Sequence, residues 1–568
     1  MKRLKAGIAA LCTMAALLVG NDAAQAAPPG DRDVIANLWS WNWNSVAREC
    51  TDHLGPAGYG GVQVSPPQDS LTRAGAVWWD IYQPANYTLT SKFGNESQFA
   101  AMVRACHDAG LKVYADAVIN HMTGQGSTSY GGTSFAKYAY PGLYSAADFH
   151  YYSEDCGNSD NLIHDGDYGS SARNVQNCEL VGLSDLETEE DYVRGAIAGY
   201  LNKLIGLGVD GFRVDAAKHT SPADLGDVYR RLNGSPYIYQ EVIYGAGEAV
   251  QPSQYTGIGD VLEFQYGRYL REKFLGNISD LRTFGESWGG MQPSGKSVTF
   301  VANHDTERGS SALSYKDGAA YRLATVFQLA WNYGTPQVYD GFTWSDREAG
   351  PPHSNGFVRD AVCGSGWECL HRDPAVTGMV GFHNAVRGTG VTGWNSPNGN
   401  VIAFSRGAKG WIAINNGSGS YAGTFATGLP AGTYASVTGT GAVSVNGSGQ
   451  ATVTVPAKGA VAIVAGGTTT PPDQVPVTFN VNATTTWGTN VYLVGSIPAL
   501  KNWNTGEAVP LSSAGYPVWS ATVTLPANTS FEYKFIKKDA SGNVTWESGG
   551  NRVHTTGSSA TTIDATWK

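Results

Sequence analysis

Short apolar segments alternate with amphipathic ones between about residues 33 and 345, and this alternation limits the choice of fold more than any other feature. Eight of the apolar segments have the length and composition of buried strands. They are DVIANLW, GGVQVSP, LKVYADAVIN, VDGFRVDA, YIYQEV, GDVLEF, SVTFVANHD and PQVYDG. Eight strand–helix alternations predict an α/β chain folded as a (β/α)8 TIM barrel.

Helix signals occupy the stretches between these strands. Asn95 and Gln98 form a capping box, and Gly110 marks the expected stop of the same helix. The next long helix starts near Thr188. There a four-residue repeat predicts one buried face made of Tyr192, Ala196, Tyr200 and Leu204.

Three carboxylates follow predicted strands of the barrel: Asp215, Glu241 and Asp305. Catalytic groups of a TIM barrel lie where its strands end, and paired carboxylates serve glycoside hydrolysis. Any one of them alone would more often be a salt bridge or a helix cap. Together, beside two tryptophans and several histidines, they favour carboxylate-based catalysis.

Arg213 and Asp215 stand two positions apart in the strand GFRVDA and therefore point to the same side of it. The pair is either a buried structural ion pair or a device that keeps the carboxylate ionised, as a nucleophile requires.

Composition restricts the class of protein and its partners. A chain of 568 residues predicts two or more domains, and 15% charged with 42% hydrophobic residues indicates a globular protein. The formal net charge of -10 is spread without long runs, so neither nucleic acid nor an anionic membrane is expected as a partner.

The first residues predict export. Three basic residues within the first five precede an apolar run over residues 6–19 and the small-residue stretch AAQAAPP. This pattern is typical of a signal peptide, expected to span residues 1–26, and nothing after it is apolar enough to span a bilayer. We therefore expect a secreted, extracellular protein.

Cysteine usage agrees with export. Six cysteines lie beyond the expected signal peptide, and an even number in an exported chain predicts three disulfides. Spacing alone leaves fifteen pairings open, and no cysteine–histidine cluster suggests zinc.

Changes of pattern along the chain predict several domains. The barrel is expected over residues 27–391, with a small inserted domain at about 121–186. An all-β domain follows at 392–466, then a linker at 467–475 within the stretch GGTTTPPDQVP (466–476), and a β-rich module at 476–568.

Short ordered motifs carry a family resemblance: DAVINH (116–121), GFRVDAAKH (211–219), YQEV (239–242) and FVANHD (300–305). The stretches GYGGVQVSPP (58–67) and LVGLSDL (180–186) add to it. Over roughly residues 31–466 the chain resembles α-amylases of glycoside hydrolase family 13, most of all the secreted animal and actinobacterial enzymes. The resemblance implies a barrel domain A, an inserted domain B and a β-sandwich domain C.

The resemblance implies a role for each motif residue. Asp215 would be the nucleophile, Glu241 the general acid and base, and Asp305 the stabiliser of the transition state. Arg213 would keep Asp215 ionised. The remaining substrate-binding residues would be His121, His304, Trp78, Trp79, Tyr82, Gln83, Leu183, Lys218 and His219. For one of the two adjacent tryptophans a place in the core stays open.

A structural calcium ion is also implied, held by Asn120, Asp185 and the carbonyl groups of Gln176 and His219. Activating chloride is not expected. Arg213 and Asn303 match the chloride ligands of animal enzymes, but Gln337 stands where those have a second arginine, and the loop TERGSSALSYKDG is shorter than theirs. The implied disulfides are Cys50–Cys106, Cys156–Cys178 and Cys363–Cys369.

The C-terminal module resembles a family 20 starch-binding module through VYLVGSIPALKNWN, FEYKFIKKD and VTWES. In PVWSATVTL the alternation places Trp519 in the core. The resemblance implies two sugar sites, one with Trp503, Trp546, Lys534 and Asn551 and the other with Trp487 and Tyr516.

Taken together, the two resemblances imply an α-amylase, expected to be a monomer, that cleaves α-1,4-glucosidic bonds of starch and related glucans internally, with retention of configuration. An α-glucan transglycosylase would carry the same three carboxylates and stays open as an alternative. A non-catalytic starch-binding protein stays open as well, although it would not need all three.

Overall fold

The computed structural model describes residues 32–73, 77–466, 474–526, 529–557 and 559–568. The expected signal peptide lies outside the described residues, as does residue range 467–473 of the expected linker. The chain divides into two compact units. The first contains the residues up to 429 with 436–440 and 449–464, and the second contains 430–435, 441–448 and 465–568.

Eight parallel strands close the predicted barrel, paired in the order of the sequence. The first pairs with the last, which places Ile35 opposite Gln337. The strands are β1 (Ile35–Leu38), β2 (Gly61–Val64), β3 (Lys112–Ala117), β4 (Gly211–Val214), β5 (Tyr237–Gln240), β6 (Asp260–Glu263), β7 (Ser297–Phe300) and β8 (Thr335–Asp340). All eight predicted strands are therefore confirmed.

Large buried side chains from these strands, among them Tyr114, Tyr239 and Phe300, pack into one cluster. The hydroxyl group of Tyr239 donates to the side-chain oxygen of Gln63 at 2.9 Å. A buried polar group costs little when it is hydrogen-bonded in this way.

Eleven α-helices lie in the described part of the chain: α1 (Trp43–Glu49), α2 (Gly55–Ala57), α3 (Glu96–Asp108), α4 (Asp165–Ser170), α5 (Ala172–Asn177), α6 (Asp191–Gly206), α7 (Pro222–Tyr229), α8 (Phe264–Leu275), α9 (His304–Gly309), α10 (Ala319–Ala330) and α11 (Pro374–Val386). The capping box of Asn95 and Gln98 is confirmed at the start of α3.

The face predicted for α6 is wrong in part. Tyr200 and Leu204 are buried, but Tyr192 is 57% exposed, and Val193 and Ile197 are buried in its stead. A four-residue step advances by about 400° on a helix, so a strict four-residue repeat drifts off the buried face within three steps.

The long connection between β3 and α6 holds α4 and α5 and a disulfide, Cys156–Cys178. The other two disulfides are Cys50–Cys106 and Cys363–Cys369. These are the pairings that the resemblance implies.

Beyond the barrel the chain is mostly β-structure. After the short hairpin strands β9 (His353–Ser354) and β10 (Phe357–Val358), eight strands follow: β11 (Val391–Asn398), β12 (Val401–Arg406), β13 (Gly410–Asn415), β14 (Tyr421–Ala426), β15 (Gly432–Ala435), β16 (Ala442–Val445), β17 (Gln450–Val455) and β18 (Gly459–Val464). The sheet β11–β12–β13–β18 is antiparallel, and the pairs β14–β17 and β15–β16 are antiparallel as well.

The described residues of the C-terminal module form nine strands: β19 (Gln474–Asn482), β20 (Asn490–Gly495), β21 (Val509–Pro510), β22 (Ser512–Gly515), β23 (Val518–Pro526), β24 (Ser530–Lys538), β25 (Val544–Trp546), β26 (Arg552–Thr555) and β27 (Thr561–Thr566). They form two sheets, one of order β22–β23–β19–β27 and one built on β20 and β24. Trp519 is 3% exposed and belongs to the core of the module, which confirms its predicted place.

No helix within the described ranges combines the length and the apolar character that crossing a membrane would need.

Candidate active site

A cavity of about 460 Å³ opens at the carboxyl ends of the barrel strands and is lined by Asp215, Glu241 and Asp305. Asp215 directly follows β4, and Glu241 directly follows β5. Asp305 differs from the prediction, because β7 ends at Phe300 and Asp305 lies in the first turn of α9. The three carboxyl groups predicted from separate motifs thus meet in one cavity.

Arg213 lies beneath this cavity and binds three carboxylates at once. Its Nη1 atom is 2.6 Å from Asp215 and 2.7 Å from Asp116, and its Nη2 atom is 2.7 Å from Glu241. The second oxygen of Glu241 accepts from the backbone N–H of Ala216 at 2.9 Å. One fully buried cation therefore fixes the relative positions of two of the three carboxyl groups that line the cavity.

Asp215 interacts with other charged groups besides Arg213. Burial and the neighbouring carboxylates Glu241 and Asp116 raise the pKa of Asp215, although Arg213 lowers it. Burial and Glu241 likewise raise the pKa of Asp305 to about 8. A single arginine shared by several buried carboxylates leaves protons within the cluster, so Arg213 favours ionised Asp215 without securing it alone.

Two buried histidines line the cavity beside these carboxyl groups. The ring of His304 lies between the rings of Trp39 and Tyr82, stacked at 5.0 Å from each. The Nε2 atom of His121 is 2.9 Å from the carbonyl oxygen of Tyr82. Burial lowers the pKa of both histidines, to about 4 for His121, so both are neutral hydrogen-bonding groups at neutral pH.

The adjacent tryptophans lie on a short 3₁₀ helix, Trp78–Tyr82, and both line the cavity. Trp78 also packs against the core, whereas the indole N–H of Trp79 donates to Glu348 at 2.7 Å. Of the other expected substrate-binding residues, Leu183, Lys218 and His219 line the cavity.

Gln83 is the exception among them. It is 4% exposed and does not line the cavity, because its side-chain oxygen accepts from the backbone N–H of Gly124 at 3.1 Å. This bond connects Gln83 to the start of the inserted segment.

Several lining residues were not predicted: Tyr168, Leu180, Val181, Ala216, Ile243 and Glu248. Lys218 connects two of them, since it ion-pairs with Glu248 and its Nζ lies 5.2 Å from the ring centroid of Tyr168. Val181 is 86% exposed and has a φ of 46°, a conformation that a β-branched residue rarely adopts. Apart from Tyr168, which lies in the short helix α4, these residues belong to loops or single turns in which no periodicity shows which side chains face the cavity.

Two of the expected calcium ligands, Asn120 and Asp185, are in direct contact. The side-chain nitrogen of Asn120 donates to Asp185 at 3.1 Å, and Nδ1 of His219 lies 2.9 Å from the carbonyl oxygen of Val175, the residue before Gln176. Burial raises the pKa of Asp185 to about 7, although His150 lowers it. A buried carboxylate beside a side-chain amide offers oxygen ligands of the type that calcium prefers.

A separate acidic group lies in the connection between β3 and α6. Asp155, Glu187 and Glu189 have carboxylate oxygens within 4.8 Å of one another and could hold a metal ion. All three side chains are partly exposed or exposed.

Gln337, which stands in place of the second chloride-binding arginine, is engaged in neutral hydrogen bonds. Its amide nitrogen donates to Gln63 at 2.8 Å, and its oxygen accepts from Asn37 at 3.3 Å.

The two sugar sites expected on the module differ in exposure. The rings of Trp503 and Trp546 lie 6.4 Å apart with a 44° angle, and Trp546 is 43% exposed. Lys534 donates to the backbone carbonyl of Gly549, and Asn551 donates to Glu532. At the other expected site Trp487 is fully exposed and Tyr516 is 52% exposed.

Comparison with known families gives three matches along the chain. A model of the α-amylase catalytic domain matches residues 58–240, and one of the α-amylase C-terminal all-β domain matches 394–470. A starch-binding domain model matches 474–566. The barrel and its carboxyl cluster thus define the chain as a glycoside hydrolase with a carbohydrate-binding module.

Individual relatives narrow this class. An α-amylase of Streptomyces violaceus is 51% identical over 98% of this chain and 97% of its own length. An α-amylase of Tenebrio molitor is 44% identical over 72% of this chain and 89% of its own. The crystal structure of α-amylase I from Eisenia fetida matches with a TM-score of 0.74 at 38% identity, covering 77% of this chain and 98% of that one. The chain belongs to the α-amylase family.

Proposed function

We propose that this enzyme hydrolyses internal α-1,4-glucosidic bonds of starch, glycogen and related glucans with retention of configuration. The observation that carries the proposal is the cavity in which Asp215, Glu241 and Asp305 meet above Arg213. The high identity to proteins named α-amylase supports the substrate class. The Eisenia fetida enzyme was also crystallised as a mutant in complex with maltohexaose, a glucan of the proposed kind.

In the first step a carboxylate oxygen of Asp215 attacks the anomeric carbon while Glu241 gives its proton to the departing glycosidic oxygen. A glycosyl ester of Asp215 results, and the chain beyond the bond leaves as an alcohol. Arg213 supports this step, since its bond to Asp215 favours the anionic form that attacks.

In the second step Glu241, now a carboxylate, takes a proton from water, and the water oxygen attacks the same carbon and releases Asp215. The backbone N–H of Ala216 and Nη2 of Arg213 each hold one oxygen of Glu241, which fixes the carboxyl group that must serve both steps. Asp305 would hold sugar hydroxyl groups and stabilise the positive charge at the ring, and the neutral histidines His121 and His304 would hydrogen-bond the sugar.

We assign the aromatic and polar lining to sugar subsites. Trp78, Trp79 and Tyr82 offer ring faces to glucose on one side, and Leu183, Lys218 and His219 lie on the leaving-group side. Tyr168 and Glu248, both in contact with Lys218, extend that second side.

Calcium would be held by Asn120, Asp185 and the carbonyl groups of Gln176 and His219. A bound calcium ion supplies fixed positive charge that ties the inserted segment to the barrel. His219 reaches both the proposed ion and the cavity lining, so the ion would stabilise the leaving-group side.

We further propose that the module binds starch granules through Trp503, Trp546, Lys534 and Asn551, and through Trp487 and Tyr516. The exposed aromatic side chains and the matching starch-binding model support this role.

The domain boundaries are proposed as residues 27–391 with an insertion at 121–186, then 392–466, 467–475 and 476–568. The disulfides suit an exported protein.

Digestion of soluble starch tests the activity. We expect a rapid fall in iodine staining with few reducing ends formed, because internal bonds are cut, and α-anomers among the first products detected by NMR. β-Anomers would overturn the double displacement. Mainly cyclic or lengthened glucans would instead identify a transglycosylase.

A further inference from the structure

Helix α9, which carries His304 and Asp305, ends in a buried ion pair that no role described so far uses. Glu307 and Arg308 have side chains that are 2% and 1% exposed, and Nη1 of Arg308 lies 2.5 Å from Glu307. Neither residue lines the cavity. Burying two charges is costly unless their surroundings compensate, so such a pair needs an explanation.

Four aromatic rings surround the guanidinium group of Arg308. Its central carbon lies 4.9 Å from the ring centroid of Trp39, 5.2 Å from Trp78, 5.2 Å from Phe342 and 5.1 Å from Trp344. Within the described part of the chain, its Nε and Nη2 atoms have no hydrogen-bond partner. The electron-rich ring faces therefore compensate much of the buried charge.

The same arginine touches the cavity residues from behind. Nη1 donates to the backbone carbonyl of His304 at 3.1 Å. Two of the four rings around Arg308 also belong to the site. Trp39 stacks on the His304 ring, and Trp78 lines the cavity. Arg308 thus contacts the backbone of His304 and two rings that pack against His304, those of Trp39 and Trp78.

Glu307 ties this arrangement to the barrel. Its Oε1 atom accepts from the hydroxyl group of Tyr339 on β8 at 3.0 Å and from the indole N–H of Trp344 at 3.3 Å. The six-residue helix is too short to be stable by itself, so its orientation depends on such contacts.

We propose that Arg308 and Glu307 are positioning residues that hold Asp305 and His304 in the geometry needed for the transition state. This inference rests on the proposed role of Asp305 in glycoside hydrolysis. The planar guanidinium is essential to it, because one group must stack on rings while it bonds both a carboxylate and a carbonyl. A lysine retains the charge but cannot make this combination.

The test compares Arg308→Lys with a matched variant, Arg406→Lys, in the full-length enzyme. Arg406 is also buried and bonds the carbonyl groups of Ala330 and Thr389, but it lies outside the cavity. With a soluble maltooligosaccharide, below the melting temperature of both variants, we expect Arg308→Lys to lower kcat by about tenfold to a hundredfold while KM changes less. Arg406→Lys should leave kcat within about twofold of the original enzyme, even if its melting temperature falls equally.

Arg308→Met and Glu307→Gln complete the set. Arg308→Met should lose more kcat than Arg308→Lys, and Glu307→Gln should lose less than either, because an amide still accepts from Tyr339. If Arg308→Met does not fold, the comparison of the two lysine variants still decides. Equal kcat in Arg308→Lys and the original enzyme, or equal kcat losses in the Arg308 and Arg406 variants, would overturn the inference. An original enzyme without activity on any α-glucan would instead refute the proposed function.

Discussion

Replacing Trp519 by alanine should unfold the starch-binding module and leave the catalytic unit folded. The indole ring is 3% exposed in the core between the two sheets, and its N–H donates to the carbonyl of Ala483 at 3.0 Å. A buried Trp→Ala change costs about 3–5 kcal/mol, and an unpaired buried carbonyl adds about 1 kcal/mol. A domain of this size is stable by about 5–15 kcal/mol, so the change removes much or all of that margin.

Calorimetry and granule sedimentation on the full-length chain measure the outcome. In Trp519→Ala we expect loss of the module's melting transition, loss of adsorption to starch granules and unchanged hydrolysis of soluble starch. The double variant Trp503→Ala, Trp546→Ala is the matched control, since Trp546 is 43% exposed and both residues belong to the proposed sugar site. It should lose granule adsorption while the module still melts as before.

Truncation near Gly467 should reproduce the loss of adsorption and of granule hydrolysis, because tethering raises the enzyme concentration at a fixed substrate. A Trp519→Ala variant that keeps its module transition and its adsorption would show that the ring does not carry the core. Equal granule binding by the truncated and full-length enzymes would refute the role of the module itself.

Four further outcomes are expected. Asp215→Asn should lower turnover by several orders of magnitude, about 10⁴-fold or more, with an unchanged melting temperature, because it removes the nucleophile and keeps the shape. Chelation of calcium should lower the melting temperature, because an ion bound only by the folded state stabilises it. Activity should be the same with and without chloride, because Gln337 supplies no positive charge. Finally, stability should fall between about pH 6.5 and 9, because burial lowers the pKa of His371 but Asp340 and Glu49 together raise it to about 9.

The sign of the last effect follows from the raised pKa. His371 is protonated in the folded protein up to about pH 9 but in the unfolded chain only up to about pH 6.5, so its contribution is complete below pH 6.5 and is lost as the pH rises through 9. Burial raises the pKa of Glu49, but His371 and Arg372 together lower it to about 2. Its contribution to stability is therefore complete above about pH 4.5 and is lost as the pH falls toward 2. A His371→Gln variant should therefore lose the alkaline slope.

Contrary results are as clear. An Asp215→Asn enzyme with near-normal turnover would remove that residue from its role. A melting temperature unmoved by chelator would count against the calcium site, strong activation by chloride would require another cation near Arg213, and a flat stability between pH 6.5 and 9 would disprove the charge of His371.

The barrel and two of its three carboxyl groups could be predicted because they follow regular patterns. Asp215 and Glu241 each directly follow a buried strand, so the strand pattern alone places them at the carboxyl ends of the barrel strands. Asp305 stands five residues past the end of β7, and only its motif connected it to the others. Local periodicity predicts where a strand ends but not how the chain continues after it.

The remaining site residues depend on tertiary contacts. Tyr168 comes from the short helix α4, and Val181 and Glu248 come from connecting segments; no repeat in the sequence shows which of these side chains face the cavity. For Gln83 the motif suggested substrate contact, and the structure shows that its side-chain oxygen accepts from the backbone of Gly124, a contact that no sequence pattern indicated. The shared use of Arg213 by three carboxylates could not be read from a two-residue spacing.

The pairing of β1 with β8 sets the order in which this enzyme can be completed. Ile35 on β1 pairs with Gln337 on β8, and the two residues are separated by about 300 residues of chain. This pair cannot form until β8 has been synthesised. At about 5–20 residues per second, the growing chain presents the open edge of β1 for about 15–60 s before β8 exists. An open strand edge can pair with other chains, so the unfinished barrel is most prone to aggregate while it is being synthesised. Pairing with β8 covers the edge of β1 and closes the barrel. Only then does the cavity at the carboxyl ends of the strands acquire its final shape.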